Sequence, residues 1–468
     1  MNTSSLDMSM AALRHAYTDQ HITPEDVVDE VFRRIQAYPD PYVWTELVDE
    51  SVARDRARDL MTNPDAKHLP LFGVPFSVKD NVDVFGMATT CGCEGVRRYP
   101  DKDAWAVHKA LQAGAILIGK NTLDQFATGL NGTRSLNGYC RNSFDARYVP
   151  GGSSSGSGVA VSAGLVSFSL GSDTGGSGRV PAAMNNVVGV KPTLGLVSAQ
   201  GLVKNNRYLD CIPVFSRNVA DGYAVLSVIR GYDPDDSFSR GDADDISLDA
   251  PSPMQFVFGV PQLSQLTFFG DELARHAYEE AIERLSSIGG RAVEIDFSLF
   301  QAAARIPFDS GLLAERAYSY GHVLQEAPAT VHPAVAAMLE KGLSYSGLEV
   351  VEAIYALHDV RRQAQRLFAA NSLDVIMTPT VGRAYLCAEL EQDPITLNHA
   401  LGYYTYAVNA LDLCALALPS SIRADGLPFG ISLLAPAGAD GRLHALGRIF
   451  ETATALPAGI QAKQGLNG

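Results

Sequence analysis

The sequence predicts an α/β protein with a largely buried central sheet, and three observations carry that expectation. Between residues 70 and 230, short apolar runs (LFGVPFSV, AILIG, VSFSL, VVGV) alternate with helical or glycine-rich segments. These runs are nearly continuous in hydrophobicity, as strands covered on both faces are. Helical periodicity dominates before and after them, and 468 residues with 46% hydrophobic content can bury a large core.

Taken in order, residues 1–65 read as an N-terminal helical segment. Thr23-Pro24-Glu25-Asp26 supplies a capping hydroxyl, a proline at the first helical position and acids in the first turn. Val27, Val28, Val31, Phe32 and Ile35 then recur with helical period. Residues 66–230 hold the alternating core. Residues 231–253 (GYDPDDSFSRGDADDISLDAPSP) are acidic and rich in Asp, Ser and Pro, and read as a solvated linker. A calcium loop over Asp233 to Asp245 fails, for want of glycine at its sixth position and glutamate at its twelfth. FVFGVP at 256–261 restarts a strand inside a mostly helical region, 254–372. Residues 373–468 return to the core through DVIMTPT at 374–380 and a glycine-bounded run near 430.

Composition narrows the function. A net charge of −15 and a pI near 5.1 argue against nucleic acid or anionic membrane as partners. No apolar run reaches 18 residues, and the first residues lack a basic stretch followed by an apolar one, so a cytoplasmic protein is expected. The six cysteines form neither a disulfide framework nor a paired zinc pattern; Cys91-Gly-Cys93 reads as two structural thiols. The ten histidines include no pair at helical i, i+4 spacing, and neither a metal nor a cofactor is expected. GAILIGKN places Lys120 as a phosphate loop would, but Asn121 stands where Ser or Thr is needed. GSGVAVSAG carries Val161 at the third glycine of the dinucleotide fingerprint.

Chemistry concentrates in residues 151–192. Two serine-bearing glycine turns there, centred on Ser153 and Ser177, lie 24 residues apart around an apolar run. Glycine lets main-chain N–H groups converge on a reactant, so the pair looks like a catalytic centre made largely of backbone.

GGSSSGSG followed by GSDTGGSGRVPAA resembles the signature of the amidase signature family, serine hydrolases that use lysine in place of histidine. GVPFSVKDN places Lys79 where the family has its lysine, and DVIMTPT with GLPFGISLLAP at 426–436 match its C-terminal marks. The resemblance implies a mixed central sheet covered by helices on both faces, with a mostly helical insertion or small domain. It implies Ser177 as nucleophile, Ser153 as bridging serine, Lys79 as base and a cis peptide at Gly152–Ser153. It also implies an oxyanion hole from the backbone of Thr174, Gly175, Gly176 and Ser177, and a homodimer formed through N-terminal helices.

Such a base must be neutral, although free lysine has a pKa near ~10.4. Val74, Phe76 and Val78 suit that demand, whereas Asp80 and Asp83 oppose it unless they face elsewhere. Arg179 is expected to pair with Asp173 or nearby chain and to support the turn.

Within the family, DQFATGLNGTRS at 124–135, RYLDCIPVFS and Gly178 after the nucleophile resemble the allophanate hydrolase branch. That branch implies a substrate pocket containing Gly129 and an arginine that grips the substrate carboxylate, here Arg316 in GLLAERAY. It usually has a tyrosine eight residues earlier, where this chain has Phe308. Long members continue into a domain that decarboxylates the first product; this chain, stopping at Gly468, is expected only to deaminate. The expected function is therefore a Ser–Ser–Lys amidase of urea degradation, releasing ammonia from allophanate through an acyl-enzyme. A related amidase on a biuret-type or malonamic substrate, or an amidotransferase-type component of a complex, remains the alternative.

Overall fold

Eleven strands hydrogen-bond into one sheet in the computed structural model, which describes residues 6–464. The first five residues and the tail from 465 to Gly468 lie outside the described residues. In chain order the strands are β1 (Trp44–Leu47), β2 (Pro75–Lys79), β3 (Ile116–Asn121), β4 (Phe168–Leu170), β5 (Val188–Lys191) and β6 (Val214–Ser216). They continue with β7 (Phe256–Pro261), β8 (Gly290–Ile295), β9 (Val375–Pro379), β10 (Leu413–Ile422) and β11 (Pro428–Pro436). Their order across the sheet is β1-β3-β2-β4-β6-β5-β10-β11-β9-β7-β8. The sheet is mixed: β2 runs parallel to β3 and β4, and β7 to β8 and β9, while β5, β6, β10 and β11 pair antiparallel.

The period of two along β10 assigns the faces. Cys414, Leu416 and Leu418 join one core with Phe76, Val78, Phe168 and Leu170. That core is closed by the helices Trp105–Gln112, Val219–Ile229, Glu272–Ser287 and Asp440–Thr454. Ala415 and Ala417 point the other way, into cores shared with Pro24–Ala37, Ser155–Ser162 and Gly347–Ala370. Helices thus cover both faces. Among the described residues, no helix is long and apolar enough to cross a membrane.

The helix Pro24–Ala37 begins as its sequence dictates: Thr23 Oγ1 accepts from Asp26 N, and the Asp26 carboxylate accepts from Thr23 N. Two readings need correction. The 1–65 segment is not wholly helical, because β1 pairs antiparallel with β3 at the sheet edge; four residues of mixed polarity give no strand period. Nor is 231–253 merely solvated. Asp233 and Asp236 are buried against Ser198, Asp236 also meets Arg207, and Ala243, Ile246 and Leu248 join the main core. Asp233 and Asp236 are taken up by partners distant in sequence, which composition cannot reveal, while the other acids of the segment stay exposed.

Candidate active site

Parallel pairing of β2 with β4 brings two chain ends together. Val78 stands opposite Leu170, so Lys79 at the end of β2 lies beside the start of the turn that carries Ser177. The helix Ser155–Ser162 begins just after Ser153 and packs beneath the same strands. Lys79 Nζ lies 2.7 Å from Ser153 Oγ, which lies 2.8 Å from Ser177 Oγ. All three residues are buried, and the Gly152–Ser153 peptide is cis. The three residues singled out from the sequence therefore form one continuous hydrogen-bonded chain.

Burial pushes the Lys79 ammonium down to about 7, against the more distant pull of Asp124, Asp173 and Asp210. The two neighbouring acids do face elsewhere. Asp80 forms a buried pair with Lys120 at 2.9 Å, and Asp83 pairs with Arg98 at 2.7 Å. Lys120 thus belongs to a buried strand and a structural ion pair. Lys79 also donates to Ser172 Oγ at 2.8 Å, which accepts from Asn81 Nδ2 at 3.0 Å. Sequence reading passed over Ser172 and Asn81, although both lie inside the motifs that carry Lys79 and Ser177.

The nucleophile turn is held from inside. The Asp173 carboxylate accepts from Gly176 N at 2.7 Å, Gly178 N at 2.9 Å and both Nε and Nη2 of Arg179 at 3.0 Å. Burial alone would raise the Asp173 carboxyl; the charge and hydrogen bonds of Arg179, with Lys191 and Gly178 N–H behind them, hold it at about 2. Arg179 continues to Thr405 O and Asn409 Oδ1, so it serves the turn.

This corrects the expected oxyanion hole: the Gly176 N–H is committed to Asp173, whereas those of Thr174, Gly175 and Ser177 donate to no described residue. Gly176 has φ +139°, and a Cβ there would run into Thr405 Oγ1. At Gly178 a Cβ would come within 2.5 Å of the Pro213 ring, which explains glycine after the nucleophile.

In front of the serine lies a narrow cavity, tightly closed by its lining side chains. Gly129, Thr174, Gly175, Ser177, Phe308 and Arg316 all line it. A side chain at Gly129 would meet Asp124 Oδ2 at 2.6 Å and Arg134 Cδ at 3.0 Å, so glycine keeps that wall closed without filling the cavity. Arg316 is buried; its Nη1 donates to Thr128 Oγ1 at 2.6 Å, and its guanidinium sits 5.2 Å from the Phe308 ring. Burial draws it down to about 10, opposed by Asp210, and it stays charged at neutral pH. Phe308 packs on Tyr406 with ring centroids 4.3 Å apart. Tyr406, Asn398 and Arg134 also line the cavity, and sequence reading singled out none of the three: Arg134 lies unremarked in the 124–135 motif, and Asn398 and Tyr406 join only through tertiary packing.

Known proteins share this architecture. The urea amidolyase of Saccharomyces cerevisiae is 34% identical over 435 residues, 92% of this chain and 23% of that protein. The chain thus spans about a quarter of that relative's length. A glutamyl-tRNA(Gln) amidotransferase subunit of Deinococcus deserti is 33% identical over 98% of this chain and 100% of its own. The solved allophanate hydrolase of Kluyveromyces lactis superposes with a TM-score of 0.89 at 31% identity, over 95% of this chain and 72% of that one. The family model described as Amidase matches residues 26–443, and on that match the chain belongs to the Amidase family of amide hydrolases.

Proposed function

We propose that this chain hydrolyses a small amide carrying a carboxylate, most specifically allophanate, by a Ser177–Ser153–Lys79 relay. The observation that carries the reading is the unbroken 2.8 Å and 2.7 Å path from Ser177 Oγ through Ser153 Oγ to a buried amine lowered to about 7. A hydroxyl becomes an effective nucleophile when a base within hydrogen-bond reach takes its proton, and hydroxyl hydrogens rotate to suit.

With Lys79 neutral, Ser153 turns its proton to Nζ and Ser177 turns its own to Ser153. Ser177 Oγ attacks the terminal carbamoyl carbon, and its proton is relayed to Lys79. The N–H groups of Thr174, Gly175 and Ser177 are the donors available to the new oxyanion. The C–N bond then breaks, the relay returns its proton to the nitrogen, and ammonia leaves. Water repeats the sequence on the acyl-enzyme, freeing Ser177 and N-carboxycarbamate. The buried Arg316 guanidinium lines this cavity and forms no salt bridge with any described residue, which supports a carboxylate at the far end of the substrate.

A second reading is favoured by one finding. The amidotransferase component from Deinococcus deserti matches over its entire length, so a role inside a complex has the same covering match. Ammonia release by the purified chain from allophanate, biuret, malonamate, glutamine and propionamide separates the two. Preference for allophanate or malonamate is expected; activity on glutamine alone would replace the carboxylated-urea reading with the amidotransferase one.

A further inference from the structure

The cavity holds a second buried guanidinium that the relay and the Arg316 contact leave unexplained. Arg134 is 4% exposed and lines the same wall as Ser177 and Arg316. Its Nη1 donates to Thr128 O at 2.9 Å and its Nη2 to Pro394 O at 2.8 Å, while its Nε has no partner among the described residues. Thr128 therefore holds both arginines, one through its carbonyl and the other through its hydroxyl.

Neither arginine forms a salt bridge with a described residue. Asp124 spends Oδ1 on Arg134 N and Oδ2 on Gly132 N. Asp210 is engaged by Thr174 Oγ1, Asn205 N and Asn206 N. A buried charge without a partner is costly, and two like charges on one small cavity add their repulsion. Asp124 attracts Arg134 and Asp210 attracts Arg316 through space, but neither carboxylate pairs with its arginine, so both guanidinium groups remain open to an anion in the cavity. The Tyr406 ring lines the same space beside the apolar Phe308, its hydroxyl accepting from Asn398 Nδ2 at 3.1 Å and donating to Asn398 O at 3.4 Å.

Resting on the reading proposed above, we propose that Arg134 is a second anion determinant of the site, matched to the charge that the substrate gains during reaction. A carboxylated amide enters with one negative charge. Its tetrahedral intermediate carries two, as does the hydrolysis product with a carboxylate at each end. Arg316 and Arg134 together balance that pair.

The test uses the purified full chain, with malonate as the methylene isostere of the dianionic product, and malonamate and propionamide as charged and neutral amides. In Arg134→Gln, malonate affinity should fall about tenfold or more, and kcat/KM for malonamate should fall several times further than for propionamide. Arg134→Lys, which keeps the charge but not the planar fork, should retain malonate affinity within about threefold of wild type. An equal loss for malonamate and propionamide, or a lysine variant as impaired in malonate binding as the glutamine one, would reduce Arg134 to a clamp between two loops and overturn the proposal. That lysine comparison still decides if the glutamine variant does not fold. If wild type neither binds malonate nor prefers malonamate, the carboxylated-substrate reading falls and takes this proposal with it. If wild type shows the preference, Arg316→Ala loses it and Arg134→Gln keeps it, only the Arg134 assignment falls.

Discussion

At the scale of single residues, the proposed chemistry rests on Lys79. Its ammonium is drawn down to about 7 by burial, so the neutral form becomes the majority as pH rises through that value. In the proposed relay the neutral form is the base, so kcat/KM should climb with pH up to about 7 and then level off. A pH–rate profile that is flat from 5 to 9 would remove Lys79 from proton transfer. Lys79→Ala and Ser177→Ala should each lower kcat by several orders of magnitude, with an unchanged far-ultraviolet circular dichroism spectrum; near-wild-type turnover in either would contradict the relay. Arg316→Ala should raise KM for a carboxylated amide far more than for a neutral one, since the lost group meets only the carboxylate. Equal increases, measured side by side on malonamate and propionamide, would take Arg316 out of substrate recognition.

Among the elements, the turn from Asp173 to Arg179 is the most tightly specified. Its carboxylate gathers two backbone N–H groups and a fully buried guanidinium, so it shapes the backbone around Ser177 without touching the cavity. Asp173→Asn leaves the Arg179 charge buried with a neutral partner, and should cost about 3–5 kcal/mol in denaturant unfolding. A loss below about 1 kcal/mol would show that the pair is not what holds the turn. How much could be read from sequence also divides by element. β2 to β5, β7, β9 and β11 announce themselves as apolar runs, and the glycine turns with Lys79 point to the hydrogen-bonded Lys79–Ser153–Ser177 chain, because these signals are local. β1 and β6 are too short to show a period, and β10 follows directly on helical sequence, its start marked only by the single left-handed Asp412. Arg134 and the Asp124 that packs behind Gly129 both lie in the 124–135 motif, yet the motif alone does not say which of its side chains reaches the cavity. Asn398 and Tyr406 come from a distant part of the chain, and nothing in their own neighbourhoods distinguishes them from ordinary core residues.

Over the whole molecule, charge and site run in opposite directions. The chain carries a net −15, yet the small cavity in front of Ser177 presents two guanidinium groups that form no salt bridge with any described residue. That contrast is the reason to expect an anionic substrate that is held by local groups after entry, with no help from the overall field. The single sheet draws strands from both ends of the sequence, so Lys79, Ser177, Arg316 and Tyr406 depend on one continuous scaffold. Everything proposed for this scaffold turns on Ser177 forming a covalent acyl intermediate through the relay. Mass spectrometry of the enzyme, quenched in acid during turnover of allophanate or malonamate and digested, looks for that intermediate itself. An acyl mass increment should appear on the peptide containing Ser177 in wild type and be absent in Ser177→Ala; an increment on another residue, or turnover that persists in Ser177→Ala, would contradict the relay.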